Sequence, residues 1–131
     1  MSSRPTSGDY LLDTNVVSTI LDAEPGLKSE ASAGGSAFVP SIVVGELYYG
    51  AEKSGRRVDN LRRVERYVTA VNVIPVDHDT GGVFAEVKLR LRLKGRMIPE
   101  NDIWIAAVAL QYDVTLDRHF SEVTGLKLGR W

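Results

Sequence analysis

Short apolar runs alternate with helix-like segments along this chain, and that alternation constrains the fold more than any other feature. The runs occupy residues 9–13, 37–41, 71–76 and 114–116, and the segments between them repeat apolar side chains at three- and four-residue steps. Alternating strand and helix units predict a parallel sheet with helices on both faces. We therefore expect an α/β fold, an α/β/α sandwich around a mostly parallel sheet of about four or five strands.

Several residues are typical of helix ends. Ser41 can cap a helix that begins at the next residue, and Asp77 or Asp79 can cap the helix that Gly95 ends. These signals predict where the connecting loops lie.

Three further segments complete the expected organisation. Pro25 can begin a short helix that ends near residues 34–35, and residues 126–128 are a possible edge strand. Residues 103–110 form an almost unbroken apolar helix, which predicts a position at the centre of the core.

Length and composition indicate one domain. The chain has 131 residues, of which 44% are hydrophobic, and we expect residues 9–131 to form a single domain after a flexible tail at residues 1–8. The absence of cysteine excludes disulfide scaffolds, cysteine-based metal sites and thiol catalysis, and it is compatible with a reducing cytoplasm, where we expect the protein. Because no apolar run approaches the ~20 residues that span a bilayer, we expect no membrane association.

The positive charges are concentrated although the formal net charge is only −1. Eleven of the sixteen Lys and Arg residues lie in the stretches 53–66 and 88–96. One interpretation is a phosphate-facing rim for RNA, and the other is two solvated helix faces. The residues that we assign to an RNA-binding rim are Arg62, Arg63, Arg90 and Arg92.

Four acidic residues stand where strands or helices begin or end. Asp13 ends the first strand, Glu46 is one turn into the helix after the second, Asp102 is in the first turn of the apolar helix, and Asp117 follows the last strand. Each alone can be a cap, a turn residue or an exposed side chain. All four are embedded in apolar sequence, however, and carboxylates that share a cleft repel one another unless a cation compensates. A hard divalent ion such as Mg²⁺ or Mn²⁺ suits oxygen ligands, and it suits phosphodiester hydrolysis.

Four segments carry a resemblance to a known family. These are residues 10–18 (YLLDTNVVS), 45–51 (GELYYGA), 95–107 (GRMIPENDIWIAA) and 115–120 (TLDRHF). In this order they resemble the motifs of PIN-domain ribonucleases, and more narrowly those of VapC, the toxin of type II toxin–antitoxin pairs.

The resemblance implies a PIN-like α/β/α sandwich and a Mg²⁺- or Mn²⁺-dependent endoribonuclease. It places Asp13, Glu46, Asp102 and Asp117 on the metal-binding, catalytic acids of the family. It also implies an RNA substrate, a small cognate antitoxin as partner, and a homodimer.

Residues beside the acids have more than one interpretation. Asn15 matches a family position that orients the first carboxylate, and Thr115 matches the hydroxyl residue before the last acid. Of Tyr48 and Tyr49, we expect one to pack in the core and the other to be available to RNA or to a partner.

Two other functions remain open from sequence. One is a phosphohydrolase in which Asp13 is a covalent nucleophile. That mechanism needs a general acid two residues after the nucleophile, and Asn15, which occupies this position, cannot supply a proton as a carboxylic acid does. The other is a non-catalytic, degenerate PIN-like binding module, because the interval between Asp102 and Asp117 is shorter than the family pattern predicts.

Overall fold

A four-stranded parallel sheet forms the centre of the protein, as its sequence predicts. The computed structural model describes residues 4–6, 8–22 and 37–116. Within them, the strands are β1 (Tyr10–Leu11), β2 (Ala37–Pro40), β3 (Asn72–Ile74) and β4 (Thr115–Leu116), in the order β3-β2-β1-β4 with every neighbouring pair parallel. The expected helix from Pro25 and the edge strand at 126–128 lie outside the described residues.

Five helices connect and cover these strands. They are α1 (Thr14–Asp22), α2 (Ser41–Glu52), α3 (Arg57–Ala70), α4 (His78–Leu93) and α5 (Glu100–Tyr112). Successive residues of a strand point to opposite faces of the sheet, and both Phe38 and Val39 on β2 are buried. Both faces of the sheet are therefore covered, which confirms the layered α/β arrangement.

The apolar helix α5 lies in the core, as predicted. Its residues Ile103 and 105–109 are all buried. Such burial is expected of a helix that is hydrophobic on most of its sides. On its flank, Trp104 stacks on Phe84 of α4 with ring centroids 3.8 Å apart and planes 13° from parallel. This stack joins α4 to α5.

The helix ends confirm two of the predicted signals and correct a third. Asp77 accepts a hydrogen bond from the backbone N–H of Thr80 and caps α4, and Gly95 adopts φ +69° just beyond its end. The prediction that Ser41 caps α2 is wrong. Pro40 occupies the N-cap position, and the Ser41 hydroxyl instead accepts a hydrogen bond of 3.1 Å from the backbone N–H of Val76. This hydrogen bond joins the segment after β3 to the start of α2.

The connection from α5 to β4 is short. Asp113 adopts the left-handed conformation, φ 55°, at the end of α5, and the backbone N–H of Val114 donates to the carbonyl of Ala109. The chain therefore passes from helix to strand within two residues. Within the part of the chain that the structure describes, no helix is long and apolar enough to cross a membrane.

Candidate active site

Asp13 lies at the carboxyl end of the central strand β1. Its side chain is only 4% exposed, and Oδ1 accepts a hydrogen bond of 2.9 Å from the backbone N–H of Val16. Asp13 therefore caps α1, as one of its sequence interpretations predicted. The same bond fixes the carboxylate at the sheet edge where parallel α/β sheets bind ligands.

Glu46 is half-buried on α2, and two other elements hold its carboxylate. The hydroxyl of Thr14, at the start of α1, donates to Oε1, and the side-chain amide of Asn101, in the first turn of α5, donates to Oε2 at 2.9 Å. Thr14 adjoins Asp13 and Asn101 adjoins Asp102. Glu46 is thus tied to the two chain segments that carry the other acids.

Asp102 shares an electrostatic environment with both of those acids. Burial is the largest cause that raises its pKa, followed by the negative charges of Glu46 and Asp13. A charge raises the pKa of a neighbour in this way only when the two groups are close. Through the hydrogen bonds of Thr14 and Asn101 to Glu46, the structure links the chain segments that carry three of the four predicted acids, and Asp117 lies outside the described residues.

These carboxylates fit a hard divalent cation by their chemistry. They supply oxygen ligands only, and their mutual repulsion is what a cation would relieve. Across residues 4–6, 8–22 and 37–116, no group of three or more His, Cys, Asp or Glu side chains is already gathered closely enough to hold an ion. Glu46 is hydrogen-bonded to Thr14 and Asn101, the sequence neighbours of Asp13 and Asp102.

Thr14 and Asn101 were not among the residues predicted to support the acids. The predicted pair, Asn15 and Thr115, occupy exposed positions on α1 and β4, and their roles stay predictions. A polar residue next to an acid in the sequence can be identified as a candidate hydrogen-bond partner of one of the acids. It does not reveal which acid the side chain will reach, because Asn101 bonds to a carboxylate 55 positions away instead of to its neighbour.

Two depressions flank Glu46. A cavity of about 180 Å³ lies on the side of α1 and α3, and its polar lining includes Ser18, Asn60 and Arg63. A more open depression of about 490 Å³ lies on the side of α5, where Glu46 adjoins Tyr49. Glu46 is therefore reachable from two directions.

The basic residues of α3 divide into two kinds. Arg62 is exposed and lines a depression whose other charged residues are Arg56, Asp59, Arg63 and Arg66. Arg63 also reaches α1, where its guanidinium donates to the carbonyl of Leu21 near the helix end and stands 3.9 Å from Asp22. Cations at helix C-termini stabilise the last carbonyls, so Arg63 fastens α1 to α3.

The two basic residues assigned to α4, Arg90 and Arg92, lie in its last turn and are exposed. Lys88, on the same helix, forms an ion pair of 2.5 Å with Glu100 at the start of α5. The basic stretch of α4 thus adjoins the helix that carries Asp102.

Comparison with known proteins finds relatives along nearly the whole chain. The PIN domain family matches residues 10–126. Ribonuclease VapC2 of Haemophilus influenzae is 34% identical over 128 residues, which cover 93% of this chain and 97% of that protein. The solved structure of VapBC2 from Rickettsia felis, bound to a DNA fragment from their promoter, is similar with a TM-score of 0.74 at 26% identity, covering 89% of this chain and 94% of that one. DNA-bound VapBC from Salmonella typhimurium has a TM-score of 0.74 at 25% identity, covering 91% and 95% of the two chains.

Proposed function

This chain belongs to the PIN domain family, among its VapC ribonucleases, and we propose that it is an endoribonuclease that hydrolyses RNA phosphodiester bonds with Mg²⁺ or Mn²⁺. We also propose that it acts as the toxin of a toxin–antitoxin pair. The observation that supports the catalytic proposal is the pair of hydrogen bonds from Thr14 and Asn101 to the Glu46 carboxylate. These bonds join the chain segments that carry Asp13, Glu46 and Asp102, and a structural role for each acid alone does not require that.

Asp13, Glu46 and Asp102 would hold the cation, with Asp117 as the fourth acid. When bound, the ion supplies Lewis acidity toward a phosphoryl group and lowers the pKa of water. The residues of the chain supply placement. The backbone N–H of Val16 fixes Asp13, and the side chains of Thr14 and Asn101 fix Glu46.

The basic residues have a binding role in this proposal. Arg62, with Arg56 and Arg66 beside it, contributes positive charge that attracts the RNA backbone toward the acids, and Arg90 and Arg92 do so from α4. None of these five performs the bond-breaking step. We propose that a small antitoxin protein neutralises the enzyme, in keeping with relatives solved as VapBC complexes. We also propose that the enzyme is a homodimer.

The test is cleavage of RNA by the purified protein. We expect cleavage in Mg²⁺ or Mn²⁺, none in EDTA, and none by the Asp13→Asn variant. Asp79→Asn is the matched control, because Asp79 is an exposed acid in the first turn of α4, and this variant should cleave normally.

A second measurement separates metal binding from activity. Mn²⁺ should raise the thermal stability of the parent protein and of Asp79→Asn, but not that of Asp13→Asn. A parent protein that neither cleaves RNA nor is stabilised by Mn²⁺ would support a non-catalytic module instead. Hydrolysis of a small phosphomonoester without RNA cleavage would support a phosphohydrolase.

A further inference from the structure

Tyr49 is the exposed member of the tyrosine pair that follows Glu46. Its side chain is 65% exposed, whereas Tyr48 packs against the core. Exposed aromatic side chains are common singly and need no functional explanation by themselves. The surroundings of Tyr49 are what distinguish it.

Tyr49 lines the larger depression beside the candidate active site. The depression, of about 490 Å³, is lined by Ser41, Ile42, Gly45, Glu46, Tyr49 and Asn101. At Gly45, no atom lies within 4 Å of the place that a Cβ would occupy. Gly45 therefore leaves its part of the depression open, and Tyr49 and Glu46 line the same depression.

A cation stands over the same ring. The Lys53 ammonium lies 5.0 Å from the centroid of the Tyr49 ring, one helical turn further along α2. Proteins that bind single-stranded nucleic acid combine aromatic rings, on which bases stack, with cations that contact the phosphates. The Tyr49 and Lys53 side chains supply one of each beside the acids.

We propose that Tyr49 is a stacking platform for one unpaired base of an RNA strand, and that Lys53 binds a neighbouring phosphate of the same strand. This proposal rests on the proposed ribonuclease function and adds a base-binding subsite to it. The base would lie in the depression that opens onto Glu46, and the phosphate that undergoes cleavage would lie at the acids. Since every base has a π-face, the subsite would require an unpaired base and not a particular one.

A protein partner is the other possible occupant, and the structure favours RNA. Ile42, Gly45 and Tyr49 line the depression together with Ser41, Glu46 and Asn101, so a docked protein helix would have to cover a carboxylate as well as the apolar groups. The ammonium at the ring adds the charge that a phosphate backbone requires.

The test measures binding of a short, fluorescein-labelled single-stranded RNA by anisotropy in EDTA, so that no metal-dependent cleavage occurs. Tyr49→Leu retains apolar bulk and removes the aromatic ring, and Tyr49→Phe retains the ring. We expect Tyr49→Leu to weaken binding about 10-fold, within the range for loss of one stacked base, and Tyr49→Phe to bind like the parent. Leu93→Ala is the matched control, because Leu93 is 76% exposed on α4, and it should bind like the parent.

Salt dependence separates the two side chains. Lys53→Gln should reduce the slope of log affinity against log salt by about 0.7, the value for one phosphate contact to a single strand. Tyr49→Leu should weaken binding at every salt concentration without changing that slope. Replacing successive bases of the RNA with abasic sites should abolish the difference between the parent and Tyr49→Leu at one position.

The outcomes distinguish failure of the subsite from failure of the function. If the parent cleaves RNA and Tyr49→Leu binds RNA as tightly as the parent, the subsite is overturned and the ribonuclease function stands. If Tyr49→Leu retains RNA binding but is no longer neutralised by the antitoxin, Tyr49 belongs to a protein interface and the subsite is also overturned. If the parent neither binds nor cleaves RNA, both proposals fail.

Discussion

The two hydrogen bonds that hold Glu46 can be removed one at a time. Thr14→Val replaces the hydroxyl that donates to Oε1 with a methyl group, and Asn101→Ala removes the amide that donates to Oε2 at 2.9 Å. Both changes leave Asp13, Glu46 and Asp102 in place. They therefore test positioning of the carboxylate and not the presence of the acids.

The expected magnitude follows from the kind of bond. A hydrogen bond to a charged group contributes about 1.5–3 kcal/mol, and the low end applies to Asn101 because its side chain is exposed and water competes for Glu46. About 1.4 kcal/mol corresponds to a tenfold change in an equilibrium constant. We expect each variant to need about 10-fold more Mn²⁺ for half-maximal cleavage, in the range for loss of a partner of a metal ligand.

The assay is single-turnover RNA cleavage across a Mn²⁺ titration, with the Mn²⁺-dependent rise in thermal stability as a readout independent of activity. Thr19→Val and Asn72→Ala are matched controls. Thr19 is an exposed threonine of α1 that donates to the carbonyl of Asn15, and Asn72 is an exposed asparagine of β3. Unchanged Mn²⁺ midpoints in both test variants would refute the positioning argument. Equal shifts in the controls would show that the effect is general destabilisation.

Three further predictions concern charge. Asp102→Asn should abolish cleavage and raise the melting temperature in metal-free buffer, because it removes a charge that burial and two neighbouring acids disfavour; full cleavage by this variant would refute the site. The backbone N–H of Thr80 lowers the pKa of Asp77, so stability from this cap is present above the unfolded-state pKa and is lost as pH falls through the folded-state pKa. Thermal melts below about pH 5 should fall less steeply for Asp77→Asn than for the parent or for Asp79→Asn, and equal slopes would contradict this. Arg62→Gln should reduce the salt dependence of RNA binding and leave the melting temperature unchanged. Arg63→Gln should lower the melting temperature, because it removes the hydrogen bond to the Leu21 carbonyl. The reverse pattern would contradict these two roles.

The order of strands and helices could be predicted from the sequence because it depends on local periodicity. The residues of β2 and β3 alternate or run apolar, those of α3 repeat at three- and four-residue steps, and α5 is apolar from residue 103 to residue 110, so each segment indicates its own structure. The prediction that the acids meet has a related basis. Asp13 follows a strand and Asp102 lies in the first turn of α5, and parallel α/β sheets bring such positions to one edge of the sheet. Glu46 lies midway along α2, and its link to those segments depends on the hydrogen bonds from Thr14 and Asn101.

Only the tertiary structure decided which side chains meet. Glu46 accepts from Asn101 across 55 positions, Arg63 turns toward Leu21 across 42 positions, and the Ser41 hydroxyl bonds to Val76 instead of capping its own helix. These contacts join separate elements, and the direction of a polar side chain depends on the donors and acceptors that packing places beside it. A local pattern therefore specifies that a residue is polar and near a helix end, while the packed elements determine which partner it binds.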